Sequence, residues 1–355
     1  MIPATFDVPF LPDQPYLELL KRFSTRLQSV HFSLGNPTIA DARFPLHQYS
    51  LDDLLQGLEF LDAIPGLALL NSRFHGQELL AGSHTLQHIV RILERLHERG
   101  RLQGVVFADF YLLTALAKAA PSLCSQIEAV PSINFMLDTG AKAVSLYRRI
   151  ETTGFCPPTR MVLDRCLNRD LAGLQATSTG IRKQLPHMRL LLLANEGCLL
   201  HCPFKPAHDS LMALSRMQGG PACDASLNRD LGCTRLFHDQ PEEIFRSPLI
   251  RPEDLGLYDG FVDGFKLCGR TRGARTLTSL LHAYMNGQYV GNLLELADTM
   301  ECLSHVMFVD NTRIPQTFAA TAAGCGLDCD ACGLCRGLAE DLVRREQPGI
   351  APVDT

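Results

Sequence analysis

The chain has 355 residues, a formal net charge of −5, and 46% apolar and 20% charged residues. These values are typical of a soluble globular protein that forms one large barrel or two ordinary domains. The sequence has no strongly basic stretch of the kind that binds nucleic acids. Binding of RNA through a local patch stays an open alternative. The N-terminus lacks a basic stretch followed by an apolar core, and Asn195 and Glu196 interrupt the longest apolar run. We therefore expect a cytoplasmic protein without a signal peptide or a membrane span.

Short apolar runs alternate with amphipathic helical patterns along the chain. Helices are predicted at 51–63, 83–99, 111–120, 139–150 and 168–176, with Ser50 and Ser83 as N-caps and Gly100 as a stop signal. Strands are predicted at 30–35, 66–71, 104–109, 127–133, 160–164, 188–194, 249–255 and 264–268. Eight such units predict an α/β fold of the TIM-like (β/α)8 barrel type, with an open doubly wound sheet as the main alternative.

After Gly269 the pattern becomes helical, at 275–285 and 290–300, and a segment rich in glycine and cysteine follows. We therefore predict two parts. Residues 1–270 form the barrel with a cysteine loop, and residues 271–355 form a helical, cysteine-rich C-terminal extension.

The chain has 13 cysteines, an odd number that does not fit a pure disulfide framework. Four of them, Cys325, Cys329, Cys332 and Cys335, fall within eleven residues near the C-terminus. This spacing suits one cubane iron–sulfur cluster, and a structural zinc site is the main rival. The first three also match the spacing of radical S-adenosylmethionine enzymes, but no barrel follows them here. We expect these four cysteines to be cluster ligands.

A second cysteine group follows the apolar strand predicted at 188–194, where barrel active sites form. Cys198 and Cys202 are separated by three residues there, and Cys223 and Cys233 lie downstream. Together they can bind a second metal group, with buried loop thiols as the alternative. The other cysteines adjoin apolar elements, and we interpret them as core thiols: Cys124, Cys156, Cys166, Cys268 and Cys302.

Several polar residues follow predicted strands and are candidates for the reaction site. Glu196 is a candidate acid or base, and His208 a candidate proton donor or ligand. Arg270 and Lys266 are candidates to hold a carboxylate or phosphate. For each one, a purely structural role is the alternative, as it is for Asn71, Asp109, Asp164 and Asn195. No G-x-S-x-G, H-E-x-x-H or phosphate-loop motif appears, which argues against protease and nucleotide sites.

Three segments together resemble one family. The sequence DGFKLCGR, at 263–270, precedes a helix that reaches Ala283 and Tyr284, and this arrangement resembles the "KIEGR … aYR" signature of the collagenase-like peptidase family. The segment NEGCLLHCPFKPAH at 195–208 resembles the family's cysteine loop, and 247–255 is similar to a strand before the signature. The family glutamate of the signature is Cys268 here.

The resemblance implies a TIM-barrel-like domain that carries a four-cysteine [4Fe–4S] cluster. Carried over by position, Cys198, Cys202 and Cys233 would be ligands, and Cys223 would be the candidate fourth. The better understood family members act in oxygen-independent hydroxylation of ubiquinone precursors and of tRNA uridine, despite the peptidase label.

Together these features predict an iron–sulfur oxidoreductase or hydroxylase, and not a peptidase, that modifies a small biosynthetic intermediate or a nucleoside. One or two [4Fe–4S] clusters are expected, one catalytic or substrate-binding and the other relaying electrons or bracing the fold. The alternatives are a non-catalytic iron–sulfur partner subunit of a homologous barrel enzyme and a zinc-dependent hydrolase or peptidase. The expected partners are a small-molecule substrate and either a homologous subunit or an electron donor.

Overall fold

The central feature of the computed structural model, which describes residues 4–34, 41–43, 49–81, 83–218 and 224–345, is one sheet of eight parallel strands. The strand order is β5-β4-β3-β2-β1-β8-β7-β6, so the first and last strands are neighbours, as in a barrel. The predicted α/β TIM-like barrel is confirmed. The strands are β1 (Phe6–Pro9), β2 (Leu27–Phe32), β3 (Gly66–Leu70), β4 (Gly104–Phe107), β5 (Glu128–Pro131), β6 (Arg160–Val162), β7 (Arg189–Leu193) and β8 (Gly264–Lys266).

The barrel is nearly closed at a seam between β5 and β6. The amide of Ala129 donates to the carbonyl of Cys156 at 3.1 Å, and the amide of Cys156 donates to the carbonyl of Ile127 at 3.1 Å. The carboxylate of Glu128 accepts the hydroxyl of Thr159 at 3.0 Å. At this seam, the side chain of Glu128 and two backbone hydrogen bonds to Cys156 therefore take the place of a regular ladder of hydrogen bonds between strands.

Helices surround the sheet. In α4 (His84–Glu98), Leu86, Ile89, Leu93 and Leu96 are buried at helical spacing on one face, as predicted. The helices are α1 (Gln14–Arg22), α2 (Leu51–Leu61), α3 (Gln77–Leu80), α4 (His84–Glu98), α5 (Phe110–Ala119), α6 (Pro121–Cys124), α7 (Gly140–Glu151), α8 (Leu171–Gln184), α9 (Lys205–Met217), α10 (Asp224–Asp230), α11 (Cys233–Asp239), α12 (Glu242–Arg246), α13 (Gly273–Asn286), α14 (Leu293–Leu296), α15 (Phe318–Ala323), α16 (Cys329–Cys332) and α17 (Leu334–Leu342).

Both predicted N-caps are confirmed. The hydroxyl of Ser50 accepts the amide of Asp53 at 3.0 Å, and the carboxylate of Asp53 accepts the amide of Ser50 at 2.9 Å. These reciprocal bonds form a capping box at the start of α2. Ser83 accepts the amide of Leu86 at 3.4 Å at the start of α4.

One predicted strand is wrong and one real strand was missed. The segment predicted as a strand at 249–255 leads into a 3-10 helix, Pro252–Tyr258. Its Ile250 is buried, and the amide of Ile250 donates to the carbonyl of Ala194 at 2.8 Å, so the start of this segment packs beside the end of β7 without forming a strand. The strand that completes the barrel is β1, at the N-terminal end of the described chain.

The C-terminal residues pack against the barrel as short elements. Helix α13 contacts α1, and α17 contacts α12. The helix predicted at 290–300 is replaced by the single turn α14 and the 3-10 turn Glu301–Leu303. Two further strands, β9 (Met307–Val309) and β10 (Val343–Arg345), pair in antiparallel fashion. The proposed division at residue 270 stays a prediction. Among the described residues, no helix is both long and apolar enough to cross a membrane.

Candidate functional site

A cavity of about 90 Å³ lies at the carboxyl ends of the barrel strands, which is the usual position of barrel active sites. Segments that follow β3, β5, β7 and β8 line it, together with α9. The charged side chains among its described lining residues are the cations Arg43, Arg73, Lys205, Lys266 and Arg270 and the carboxylates Glu196 and Asp209. Positive charge therefore exceeds negative charge on this wall.

Most of these cations are already paired. Arg43 forms an ion pair with Asp298, and Lys205 with Asp209. Arg270 binds Asp41, with its Nε 3.2 Å from Oδ2. These pairings fix the positions of the charges and partly cancel them.

Lys266 differs from these cations. Its Nζ makes no hydrogen bond or ion pair with any side chain in the described part of the chain, although the residue lines the cavity. Burial lowers the pKa of Lys266 to about 8, and the positive charge of Arg270 adds to this effect, while Asp7 opposes it. The same environment lowers the pKa of His31 well below its usual value, through burial first and then Lys266 and Arg270. Lys266 therefore carries a neutral amine at mildly alkaline pH, which makes it suited to accept a proton.

The three predicted catalytic residues all line this cavity. Glu196 pairs with Arg165, whose Nε lies 2.8 Å from Oε2. His208 lies on α9 with its Nε2 3.3 Å from Nδ2 of Asn228. Arg270 lies beyond β8 in its pair with Asp41. The fold brings these residues together, and their catalytic roles stay predictions.

Asn195 has a structural position behind the cavity. It is fully buried, its Nδ2 donates to the carbonyl of Cys268 at 3.0 Å, and its Oδ1 accepts the amide of Cys268 at 2.7 Å. The side chain thus joins the ends of β7 and β8. Burial raises the pKa of the Cys268 thiol well above its usual value, and the charge of Asp298 adds to this effect. The thiol is therefore protonated. Cys268 is half-buried and lines the cavity, so it is not the core thiol that the sequence predicted.

Of the other strand-end residues, only Asn71 lines the cavity. Asp109 accepts the amide of Tyr111 at 2.8 Å and lies 2.9 Å from Nδ1 of His75. Asp164 accepts the amide of Cys166 at 2.9 Å. Each aspartate caps the element that follows it. This is the structural role that the sequence offered as the alternative to a role in the reaction.

Within the first cysteine group, Cys198 lines the cavity. Burial and the charge of Glu196 raise the pKa of its thiol to about 12. The thiol is therefore protonated at neutral pH and is a poor nucleophile. Cys202 and Cys233 are half-buried nearby, and Cys223 lies outside the described residues. Across the described ranges, no three His, Cys, Asp or Glu side chains converge closely enough to hold a single metal ion.

The four C-terminal cysteines line a second cavity of about 280 Å³. Arg169 and Arg246 also lie on its wall, and Nε of Arg246 is buried without a hydrogen-bond partner among the described residues. Burial raises the pKa of Cys335, and the two arginines act in the opposite direction. Four thiols around a roomy cavity, with cations beside them, fit a polynuclear anionic group better than a single ion.

Sequence reasoning missed several residues of the first cavity. Lys205 belongs to the segment that resembles the family's cysteine loop, so the sequence carried a signal for its position at the cavity. Arg43 and Asp298 meet across 255 residues of sequence, and no local pattern indicates such a pair. The same holds for Asp41 with Arg270, which are 229 residues apart.

No protein-family model matches the chain. Its sequence is 33% identical over 184 residues to the uncharacterized protease MJ1657 of Methanocaldococcus jannaschii, a match that covers 52% of this chain and 53% of that protein. The chain thus spans about half the length of this curated relative. Among solved structures, the U32 peptidase Mk0906 matches with a TM-score of 0.48 and 16% identity, over 75% of this chain and 93% of that one. A mandelate racemase/muconate lactonizing enzyme from Bordetella bronchiseptica RB50 matches with a TM-score of 0.31 and 14% identity, over 62% and 51%.

The sequence relative, which is named as a protease, bears out the resemblance to the collagenase-like peptidase family. It also corrects the predicted enzyme class. The prediction of an iron–sulfur oxidoreductase or hydroxylase, and not a peptidase, is wrong, because the sequence relative is named as a protease. The cysteine pattern and the activities implied by the family resemblance together led to that prediction. A cysteine pattern by itself indicates a bound group and does not indicate a reaction.

Proposed function

Proceeding from the similarity to the U32 peptidase family, we propose that this chain hydrolyses an amide bond in a small, carboxylate-bearing peptide at the mouth of the barrel. The observation that carries the proposal is Lys266, a half-buried lysine that lines the cavity and forms no salt bridge with any carboxylate of the described residues, although the charge of Asp7 acts on it. An amine with a lowered pKa at the end of a barrel strand is suited to general-base catalysis near neutral pH.

The proposed reaction uses Lys266 as the proton acceptor. Its neutral Nζ takes a proton from water while the water oxygen bonds to the carbonyl carbon of the substrate. Arg270 stabilises the negative charge that develops on the carbonyl oxygen, because its guanidinium is already fixed by Asp41. The carbon–nitrogen bond then breaks, and the proton passes from Nζ to the departing amine. The products are a carboxylic acid and an amine, and Lys266 returns to its neutral form.

The charge and size of the cavity define the substrate class. Cations outnumber carboxylates on the wall, and Arg73 has no carboxylate partner in the described part of the chain. Arginine binds carboxylates through two parallel hydrogen bonds, so Arg73 is suited to hold a terminal or side-chain carboxylate. A cavity of about 90 Å³ is far smaller than an ordinary ligand pocket of roughly 300–1,000 Å³, so it admits one terminal residue of a short peptide.

The test is hydrolysis of short peptides by the full-length chain, followed by mass spectrometry of the products. Matched peptides with a free and an amidated C-terminus are compared. We expect cleavage near the C-terminus and a preference for the free carboxylate. Lys266→Met should lower the rate by roughly 10²–10⁴-fold, the usual contribution of a general base. Lys183→Met, which changes an exposed lysine on α8, is the matched control and should keep the wild-type rate.

Failure to cleave any peptide of the panel would overturn this proposal. So would a Lys266→Met variant that cleaves at the wild-type rate. Equal cleavage of free and amidated peptides would overturn the assigned substrate class alone.

A separate proposal concerns the C-terminal cysteines. We propose that Cys325, Cys329, Cys332 and Cys335 hold an iron–sulfur cluster that braces the C-terminal extension against the barrel. Its support is the cavity that all four line, together with the three arginines on its wall, Arg169, Arg246 and Arg336. The cavity also includes Leu200 of the first cysteine loop, so the bound group would contact barrel and extension at once.

Iron and acid-labile sulfide, measured on protein purified without oxygen, test this second proposal. Cys332→Ala should remove about four irons per chain and lower the melting temperature, because the cross-link is lost. Cys156→Ala, at a half-buried thiol that bonds to the carbonyl of Ser125, is the matched control. Zinc without sulfide, or iron that Cys332→Ala retains, would contradict the proposal.

A further inference from the structure

Lys266 lies next to a buried carboxylate on the neighbouring strand. In the pairing of β1 with β8, Asp7 is opposite Lys266, and in the pairing of β1 with β2 it is opposite Ser29. Residues that are opposite each other on paired strands present their side chains on the same face of the sheet, and neighbouring strands lie about 4.8 Å apart. The carboxylate of Asp7 is therefore within reach of the amine of Lys266.

Another cation holds this carboxylate. Nη1 of Arg160 lies 3.3 Å from Oδ1 and 3.4 Å from Oδ2 of Asp7, and both side chains are only 4% exposed. Arg160 belongs to β6, which β7 and β8 separate from β1, so the two side chains meet across the barrel interior. Among the described residues, Lys266 forms no ion pair with Asp7, although it lies on the adjacent strand.

Hydrogen bonds hold the guanidinium of Arg160 in this position. Its Nη2 donates to Oε1 of Gln103 at 3.1 Å, and Nε2 of Gln103 donates to Oε1 of Glu128 at 3.1 Å. Glu128 also accepts the hydroxyl of Thr159, the residue before Arg160, at 3.0 Å. The contact with Asp7 is thus one end of a network that crosses the barrel and ends at the seam between β5 and β6.

The groups that surround Lys266 leave Asp7 as the carboxylate closest to it in the sheet. The titratable and charged groups around the amine are Asp7 of β1, His31 of β2, Arg160 of β6, Cys268 after β8 and Arg270 beyond it. The residue opposite on β7 is the apolar Leu193. Burial keeps the imidazole neutral and the thiol protonated. The carboxylates of the cavity wall, Glu196 and Asp209, already have cationic partners.

We propose that Arg160 is a positioning residue for Lys266, because it holds the carboxylate of Asp7 and prevents that carboxylate from pairing with the amine. The inference rests on the proposed role of Lys266 as the proton acceptor, and it adds how the proton affinity of that amine is set. A lysine paired with a carboxylate stays protonated and is a poor base at neutral pH. Arginine suits this role because its guanidinium stays charged while the lysine titrates.

The direct measurement is the pKa of Lys266, obtained by NMR spectroscopy of the full-length chain with isotope-labelled lysine side chains. The variant Lys266→Met identifies the signal. Arg160→Leu should raise the pKa of Lys266 by roughly 1–3 pH units, because the released carboxylate favours the charged amine. Asp7→Asn should lower this pKa, because a favourable charge is lost. Arg149→Leu, at an exposed residue of α7, is the control and should leave it unchanged.

A double variant separates the hold on Asp7 from the direct effect of the charge of Arg160. Arg160→Leu should change the pKa of Lys266 much less in the Asp7→Asn background, because no carboxylate is left to release. Arg160→Lys provides the same comparison if Arg160→Leu does not fold, since it keeps a positive charge and loses the two-armed contact. It should raise the pKa of Lys266 when Asp7 is present and leave it unchanged in Asp7→Asn.

The same changes should appear in catalysis. The rise of kcat/KM with pH should level off at a lower pH in Asp7→Asn and at a higher pH in Arg160→Leu or Arg160→Lys. A variant that only loosened the fold would lower the rate without moving this pH profile.

A wild-type pKa of Lys266 near 10.5, its value when exposed, would overturn the inference. So would a pKa that Asp7→Asn leaves unchanged, or equal effects of the Arg160 variant with and without Asp7. If the pKa changes occur as expected but no peptide is cleaved, the hydrolytic proposal fails and the hold of Arg160 on Asp7 stands. If peptides are cleaved but the pKa changes are absent, this inference alone fails.

Discussion

At the scale of single residues, Lys266 shows how a local pattern and a long-range contact combine. The sequence places Lys266 and Arg270 together after a strand, and it predicts that both hold an anion. Only the fold shows that Asp41 occupies Arg270, whereas Lys266 has no such partner among the described residues. The difference between a binding residue and a proton acceptor depends on that pairing, which no local pattern encodes.

The lowered pKa of Lys266 predicts how stability changes with pH. The amine has a pKa of about 8 in the folded chain and 10.5 when exposed, so between these values the unfolded chain binds the proton and the folded chain does not. The free energy of unfolding should therefore rise as pH increases from 8 to 10.5. At pH 7, Lys266→Met should stabilise the protein by on the order of 3 kcal/mol, because each pKa unit corresponds to about 1.4 kcal/mol.

Urea unfolding of the wild type and Lys266→Met at several pH values measures this difference. The stabilisation by Lys266→Met should shrink steadily above pH 8, and Lys183→Met is the exposed control. A difference that stays constant from pH 7 to pH 10.5 would mean that Lys266 is not buried as a neutral amine.

At the scale of elements, burial patterns predicted the long elements and failed for the short ones. The strand at β7 is fully apolar and was recognised, as were the capped helices α2 and α4. Strand β1 has only four residues, one of them Asp7 and one of them proline, so its sequence carries no strand signal. The run at 249–255 begins with the apolar pair Leu249 and Ile250, and such a short apolar stretch does not distinguish a strand from a buried loop.

Gly197 is the element-scale position where the cysteine loop depends on glycine. It has φ +70°, and an added Cβ would lie 2.7 Å from Cβ of Ala297 and 2.8 Å from Cε of Met300. Gly197→Ala should therefore lower the free energy of unfolding by roughly 1–2 kcal/mol for the backbone and by roughly 1–3 kcal/mol for the steric overlap.

Gly154→Ala separates these two contributions. Gly154 has φ +88° with no atom within 4 Å of an added Cβ, so it carries the backbone cost alone. Urea unfolding should show a smaller loss for Gly154→Ala than for Gly197→Ala. Equal losses would mean that the loop at Gly197 moves away from Ala297 without cost.

At the scale of the whole molecule, the barrel depends on its seam between β5 and β6. The carboxylate of Glu128 accepts the amide of Thr159 at 3.3 Å and the side-chain amide of Gln103 at 3.1 Å, besides the Thr159 hydroxyl. Glu128→Ala removes all of these bonds and should cost roughly 2–3 kcal/mol of stability. Hydrogen exchange should accelerate first in β6, the strand next to the seam.

Glu151→Ala, at an exposed residue of α7, is the control for this seam variant and should leave exchange in β6 unchanged. If Glu128→Ala accelerated exchange equally in all eight strands, the barrel would open as one unit and the seam would not be its weak point.

The whole-molecule prediction from sequence succeeded for the architecture and failed for the reaction. The architecture follows from alternation of apolar runs and helices along the chain, and this pattern tolerates one wrong strand and one missed strand. The enzyme class was inferred from cysteines such as Cys198 and Cys332 and from the family resemblance, and a cysteine pattern indicates what is bound, not which bond is broken. Pairs such as Arg43 with Asp298 form only after the chain folds, so the sequence alone did not indicate the charge of the cavity.

The pH dependence of kcat/KM for hydrolysis of a short peptide with a free C-terminus tests whether Lys266 is the proton acceptor. We expect kcat/KM to rise with pH and to level off above about pH 8, the pKa of Lys266 in the folded chain. Lys266→Met should abolish this rise and leave only a slow background rate. A rate that is independent of pH between 6 and 10, or the same rise in Lys266→Met, would contradict the role of Lys266 as the proton acceptor.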